Sequence, residues 1–206
     1  MSSHQIRFIR RATTGITLGR SNSAYSNGVG GSYTIGWSSG GAAANGTWLV
    51  CVVEEKTDSG SHPYVSGGSA WTRLGTSKLY YKQAGASEPT TYTISYAGAS
   101  KSEGSAVSIM ELFGASSVES TANSATTNVS PSVTSTDAGD CVVLAAGYGT
   151  SGLGSFTPPT GWTTRSSVIQ NAATCLAAKL NAGSGTIAPG NWNATFKQLY
   201  ALAFKP

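Results

Sequence analysis

The chain has 206 residues, enough for one large β domain or two small ones, and long enough to bury a core without a disulfide or metal. Only 11% of residues are charged and 26 are glycine, with serine and threonine supplying the polar surface, a composition that disfavours long helices and suits short strands joined by tight turns. The net charge of +4 is uneven: Arg7, Arg10, Arg11 and Arg20 precede the first acid, Glu54, and the thirteen basic residues less those four leave nine against nine acids, which argues against a nucleic-acid groove.

Residues 1–31 read as a basic N-terminal arm ahead of a neutral body. The start, "MSSHQIRFIRRATTG", has no apolar core of a signal peptide, and no run approaches the roughly 20 apolar residues of a membrane span, so a soluble chain is expected. Gly36-Trp37-Ser38-Ser39-Gly40 then matches the Gly-x-Ser-x-Gly pattern that carries a nucleophilic serine at a strand-to-helix turn. "SGGAAANGTW" supplies no helix after it. His4 precedes the serine, and only Glu54, Glu55 and Asp58 lie between it and His62. The pattern is what a chain rich in Ser and Gly produces by chance, and no catalytic residue is expected.

The next block, "TWLVCVV", is apolar on both faces and reads as a strand covered on both sides. Glu54 and Glu55 end it pointing to opposite faces. Trp71-Thr72 opens a short strand. Tyr80 and Tyr81 divide between a buried and an exposed face. In "TTYTISY", Tyr92, Ile94 and Tyr96 share one face and Thr91, Thr93 and Ser95 the other, the alternation of a strand with one wet side. "SAVSIMELF" sets Val107, Ile109, Glu111 and Phe113 against Ala106, Met110 and Leu112. A Ser/Thr-rich stretch, residues 116–140, contains an edge strand with a long crossover, after which "DCVVLAA" is again apolar on both faces.

The later blocks repeat the earlier ones in order. Gly46 matches Gly139, Trp71-Thr72 matches Trp162-Thr163, Lys82 matches Lys179, Phe113 matches Phe204, and "SPSVTST" corresponds to "GSYTIGW". The expected fold is therefore all-β: a jelly-roll-like antiparallel β-sandwich of two sequence-similar halves, residues 32–117 and 118–206, which share one core as a single unit or pack closely as twin sandwiches. Trp48, Trp71 and Trp162 are expected in or near the core. Cys51, Cys141 and Cys175 lie inside apolar strands and read as buried thiols. No spacing of Cys, His or Asp fits a metal, no two carboxylates are nominated as a catalytic pair, and no cofactor motif occurs.

Certain pieces resemble a β-rich module of bacteriophage virion proteins, among them head decoration proteins and tail-fibre segments. They are Gly139-Asp140-Cys141-Val142-Val143, Pro159-Thr160-Gly161-Trp162-Thr163, Tyr80 to Pro89 ("YYKQAGASEP") and Tyr92-Thr93-Ile94-Ser95. The resemblance covers roughly Asn45 to Pro206. It departs at Thr47 and Ala70, where the module has Asp and Gly, and in the second half, which lacks the Glu-Pro turn. It implies a non-enzymatic capsid decoration, or cement, protein on the outer surface of the virion, made in the host cytoplasm and forming a homo-oligomer on the shell. The partner implied is the major capsid protein, contacted through Arg7, Arg10, Arg11 and Arg20, with no membrane, nucleic acid or cofactor. The other reading it implies is a tail-fibre adhesin that binds host glycans, although 206 residues leave no room for a trimerising shaft.

Overall fold

The computed structural model describes residues 15–27, 31–37, 39–56, 63–75, 78–96, 104–149 and 155–206. Fifteen strands follow one another: β1 (Thr17–Ser26), β2 (Ser32–Gly36), β3 (Trp48–Glu55), β4 (Pro63–Ser66), β5 (Thr72–Arg73), β6 (Leu79–Gln83), β7 (Thr91–Tyr96), β8 (Ser105–Phe113), β9 (Ser117–Val129), β10 (Val133–Ser135), β11 (Cys141–Tyr148), β12 (Thr163–Ile169), β13 (Ala173–Lys179), β14 (Gly185–Ile187) and β15 (Asn191–Lys205). Among the described residues they form four sheets, ordered β2-β7-β4, β1-β8-β3-β6-β5, β12-β13-β11-β15-β9 and β10-β14. Every pairing is antiparallel.

The sheets stack in that order, and three apolar clusters fill the gaps between them. Leu49, Cys51, Val53, Tyr80, Val107 and Ile109 of the first five-stranded sheet meet Ile35, Val65, Tyr92, Ile94 and Tyr96 of the outer three-stranded one. The opposite face, with Val50, Val52, Leu79, Met110 and Leu112, packs on Val143, Ala145, Leu176, Tyr200, Leu202 and Phe204 of the second five-stranded sheet. That sheet's far face joins Val133, Phe156, Trp162, Trp192 and Phe196. β3 and β11 sit mid-sheet with both faces covered, which is why their sequences are apolar without alternation; β7 has one outer face and alternates. The two five-stranded sheets thus share a central apolar layer, with a smaller sheet on each outer side.

Each half follows jelly-roll order. The first strand lies beside the eighth, which lies beside the third and then the sixth, while the second lies beside the seventh and then the fourth. β9, β15, β11, β13 and β12 reproduce β1, β8, β3, β6 and β5, and β10-β14 reproduces β2-β7. The correspondence reaches single residues. Lys82 pairs with Leu49, the second residue of β3, and Lys179 with Val142, the second residue of β11. A register shift falls between Leu18 and Ser21 on β1, and again where Ser120 and Val118 of β9 face consecutive residues of β15, so both first strands carry the same bulge.

This register changes two readings of the sequence. Trp48 pairs with Leu112 and Cys141 with Phe204, so Leu112, not Phe113, is the counterpart of Phe204. One step along a strand exchanges faces, and Phe113 is 38% exposed where Phe204 is buried. The first repeat also begins before residue 32: β1, placed by sequence in an arm spanning residues 1–31, is the counterpart of β9 and forms the edge of its sheet. "TLGRSNSAYS" has no apolar alternation to mark it as a strand. It is held by the β8 ladder and by Ser21 and Ser23 hydroxyls, which donate to the carbonyls of Arg165 (2.6 Å) and Ser167 (2.8 Å) on β12.

Candidate functional site

The loops at one end of the molecule gather where the N-terminal segment joins the body. In the first half these are the β2–β3 loop, the β4–β5 loop, the β6–β7 loop and the link Gly114–Ser116 between β8 and β9. Of the four arginines named from sequence, Arg7, Arg10 and Arg11 lie outside the described residues. Arg20 lies in β1 and is used inside the protein. Its Nε donates to Glu111 Oε2 (2.9 Å), Nη1 to the carbonyls of Ser39 (3.3 Å) and Gly41 (2.7 Å), and Nη2 to that of Ala42 (3.0 Å). The guanidinium also stacks 4.7 Å above the Trp37 ring. Gly40 belongs to this clamp: its φ is +82°, and a Cβ there would lie 2.9 Å from Arg20 Nη1. Half of the Gly-x-Ser-x-Gly pattern therefore has a structural reason. Ser38, His4 and His62 fall outside the described residues.

Two of the acids that sequence left scattered, Glu88 and Glu111, sit in ion pairs. Glu111 is fully buried and also accepts from Thr47 Oγ1 (2.9 Å) and Ala44 N (3.1 Å). Glu88, in the Glu-Pro turn, accepts from Lys82 Nζ (2.6 Å), Ser69 Oγ (2.7 Å), Gly85 N (2.9 Å), Ser69 N (3.1 Å) and Tyr92 OH (3.2 Å). Burial alone would raise its pKa; the Lys82 ammonium and the Gly85 and Ser69 donors overcome that and hold the carboxyl at about 2. Burial lowers the pKa of Lys82 against the pull of Glu88. Lys82 also lies 4.6 Å from the Trp71 ring and 4.9 Å from that of Tyr92. Gly68 allows the approach, since a Cβ there would lie on the Glu88 carboxylate and its φ is +70°. At the opposite end Lys78 Nζ meets Glu54 Oε1 at 2.6 Å and Glu55 Oε1 at 3.5 Å, all three side chains being buried.

Alternation along a strand cannot announce these partners, because each pair joins separate elements. The signal within reach of sequence was the six-residue spacing of Lys82 and Glu88 across a tight turn. Trp71 and Trp162 occupy equivalent positions beside equivalent clusters, Trp162 buried and Trp71 half-buried. Trp48, expected in the core, is half-buried against Phe204 and Tyr81. The three cysteines are free and buried, and burial pushes the Cys141 and Cys175 thiols up to about 12.

The second half contributes one polar corner at this same end, where β9 begins. Glu119, the bulge residue of β9, accepts from Thr136 N (3.1 Å) and from the Thr136 hydroxyl. Asp140 is buried; its Oδ2 accepts from Ser135 Oγ (2.7 Å) and Asp137 N (3.2 Å), while Oδ1 has no hydrogen-bond partner. Burial raises the Asp140 carboxyl, and Glu119 pushes it the same way, whereas the Thr136 hydroxyl lowers Glu119. Asp137 is exposed, and Lys205 Nζ donates to Thr136 Oγ1 at 3.4 Å. Among the described residues, no three His, Cys, Asp or Glu side chains are grouped to hold a metal. Comparison with family models, with curated proteins and with solved structures finds no match.

Proposed function

We propose that this protein is a non-enzymatic virion surface protein, a capsid decoration protein that binds the major capsid protein through Arg7, Arg10 and Arg11. The observation that carries the reading is the division of charge. Glu54, Glu55, Glu88 and Glu111 of the first half are buried, three of them held within 3 Å of a cation, and Arg20 is spent on the β2–β3 loop. Among the cations outside these pairs, Arg7, Arg10 and Arg11 fall within five consecutive positions of a segment that carries no acid. Relative to the sequence-based set of contacts, Arg20 moves from binding to structure. The resemblance of Tyr80 to Pro89 and Gly139 to Val143 to virion modules supports the same reading, and jelly rolls serve as capsid domains. Binding that recognises only the assembled shell would stabilise it by mass action.

The test is sedimentation of the protein with undecorated shells. Wild type is expected to saturate at a symmetry-related copy number, and a chain with Arg7, Arg10 and Arg11 all changed to Ala is expected to remain folded and stay in the supernatant. Wild-type loading by that variant would remove the arm from the mechanism. One feature favours the adhesin reading instead. Tyr64 stands 51% exposed on the outer face of the β2-β7-β4 sheet, level with the uncharged rows Ser32–Ser95 and Thr34–Thr93–Ser66. An aromatic ring among hydroxyls suits a neutral glycan, and a glycan array on the Tyr64→Ala variant and its parent separates the two readings.

A further inference from the structure

We propose that the polar corner of the second half is a site for a hard divalent cation of the calcium class, held by the carboxylates of Asp140 and Glu119 with oxygens of Ser135, Asp137 and Gly183. Asp140 is fully buried, and among the described residues no donor reaches its Oδ1. Glu119, on the bulge of β9, lies close enough for the two carboxylates to interact. Beside them three oxygens converge on one hydroxyl. Ser135 Oγ is 2.7 Å from Asp140 Oδ2 and 3.1 Å from the Asp137 carbonyl, and it also contacts the Gly183 carbonyl. A hydroxyl carries one proton and serves one of the three at a time. The other donors of the corner are already used: Asp137 N (3.2 Å) on Asp140 Oδ2, Asp140 N (3.2 Å) on the Asp137 carbonyl, and Thr136 N (3.1 Å) with the Thr136 hydroxyl on Glu119. The Asp137 carboxylate takes Gly139 N (2.8 Å), and the exposed Lys205 donates to Thr136 Oγ1 (3.4 Å) rather than to a carboxylate. Acceptors thus outnumber donors, and a buried carboxylate oxygen without a donor is costly unless a cation meets it.

The first half shows what a cation does at this place. Its β1 bulge carries Arg20, whose guanidinium gathers Glu111 and the carbonyls of Ser39, Gly41 and Ala42 in the β2–β3 loop. The β9 bulge carries Glu119 and Ser120 instead, and Ala203 stands on the rung that matches Glu111. The second half therefore offers carboxylates and loop carbonyls without the guanidinium that binds their counterparts. Calcium suits such a set, since it takes about six to eight oxygens in flexible geometry, backbone carbonyls included, whereas zinc favours Cys or His and magnesium a strict octahedron. Bound there, the ion ties β9 to the β10–β11 loop and to the turn between β13 and β14, as Arg20 ties β1 to the β2–β3 loop. With two carboxylates among neutral ligands, the expected affinity is at the weak end for calcium, a Kd of about 0.1–1 mM.

The experiment is calorimetric titration of the full-length chain with calcium chloride, after treatment with EDTA and its removal, together with thermal unfolding with and without calcium. Wild type is expected to bind one calcium per chain in that affinity range and to melt at higher temperature as calcium rises. Glu119→Gln and Asp140→Asn are each expected to weaken binding about tenfold or more, because affinity follows the count of charged ligands. Each variant keeps an acceptor for its present donors and removes one of two like charges, so without calcium neither is expected to melt below wild type. Glu119 is half-buried, so its variant carries the test even where Asp140→Asn fails to fold. The absence of saturable binding up to about 10 mM calcium would overturn the proposal and leave a proton as what reconciles the two carboxylates. Calcium binding that both variants retain would overturn it equally, by placing the ion on other acids. None of these measurements involves a shell, so the ion site and capsid binding stand or fall separately.

Discussion

The two halves share strand order, register and bulge, yet they are held together by different chemistry. At matching ladder positions, Glu111 of β8 and Ala203 of β15 are both fully buried; Glu111 meets the Arg20 side chain from the β1 bulge, whereas Ala203 pairs with Ser120 of β9. The first half closes its loop end with the Lys82–Glu88 and Arg20–Glu111 pairs. The second has no Glu-Pro turn and fills its outer layer with Phe156, Trp192 and Phe196, whose ring centroids lie 5.1–6.3 Å apart. One topology thus tolerates either buried, fully hydrogen-bonded ions or aromatic packing, because the ladder supplies the geometry and side chains need only satisfy or avoid polar groups.

The sharpest way to break the comparison is to remove one tie from each half. Glu88→Ala leaves the Lys82 ammonium buried without its carboxylate and is expected to cost about 3 kcal/mol; Phe196→Ala is expected to cost about 3–5 kcal/mol. Denaturant unfolding across pH then tells the two apart. The Glu88 carboxyl is depressed from 4.5 to about 2 in the fold, so its contribution is present above about pH 4.5 and drains away as pH falls toward 2. The deficit of Glu88→Ala relative to wild type should shrink over that window, and that of Phe196→Ala should not. A pH-independent deficit at Glu88 would mean that the ion pair is not what its loss removes.

A smaller effect comes from giving the first half the second half's residues. Glu111→Ala and Arg20→Ser, each alone, strand a charged partner, whereas together they reproduce Ala203 and Ser120. The double variant is expected to be more stable than the sum of the single losses predicts, by about 1–3 kcal/mol in a double-mutant cycle. Additive losses would show that Arg20 acts through the Ser39, Gly41 and Ala42 carbonyls alone. Smallest is Phe113→Lys, which installs the residue type that the register assigns to the matching position, Lys205. A change in stability of about 1 kcal/mol or less is expected, and a loss as large as that for Phe196→Ala would contradict the register that sets Phe113 opposite solvent.

Strand character, the all-β class and the burial of the cysteines were legible in the chain, because apolar runs and period-two alternation report directly which faces are covered. "TWLVCVV" and "DCVVLAA" announced central strands, and "TTYTISY" a half-covered one. β1 was not legible, since a polar edge strand is specified by its neighbours' ladder rather than by its own pattern. The one-residue offset between Phe113 and Phe204 was hidden for a related reason: sequence matching tolerates a single step, but a pleated strand does not. The polar ties between distant strands were out of reach. Arg20 and Glu111 are ninety-one positions apart and Ser21 and Arg165 one hundred and forty-four, so nothing local couples them. What the sequence by itself determined was which segments must be buried strands, through the cost of exposing apolar surface. What only the tertiary structure decided was which charge meets which, because the carboxylates and cations of the first half find their partners on strands and turns that become neighbours only when its sheets form.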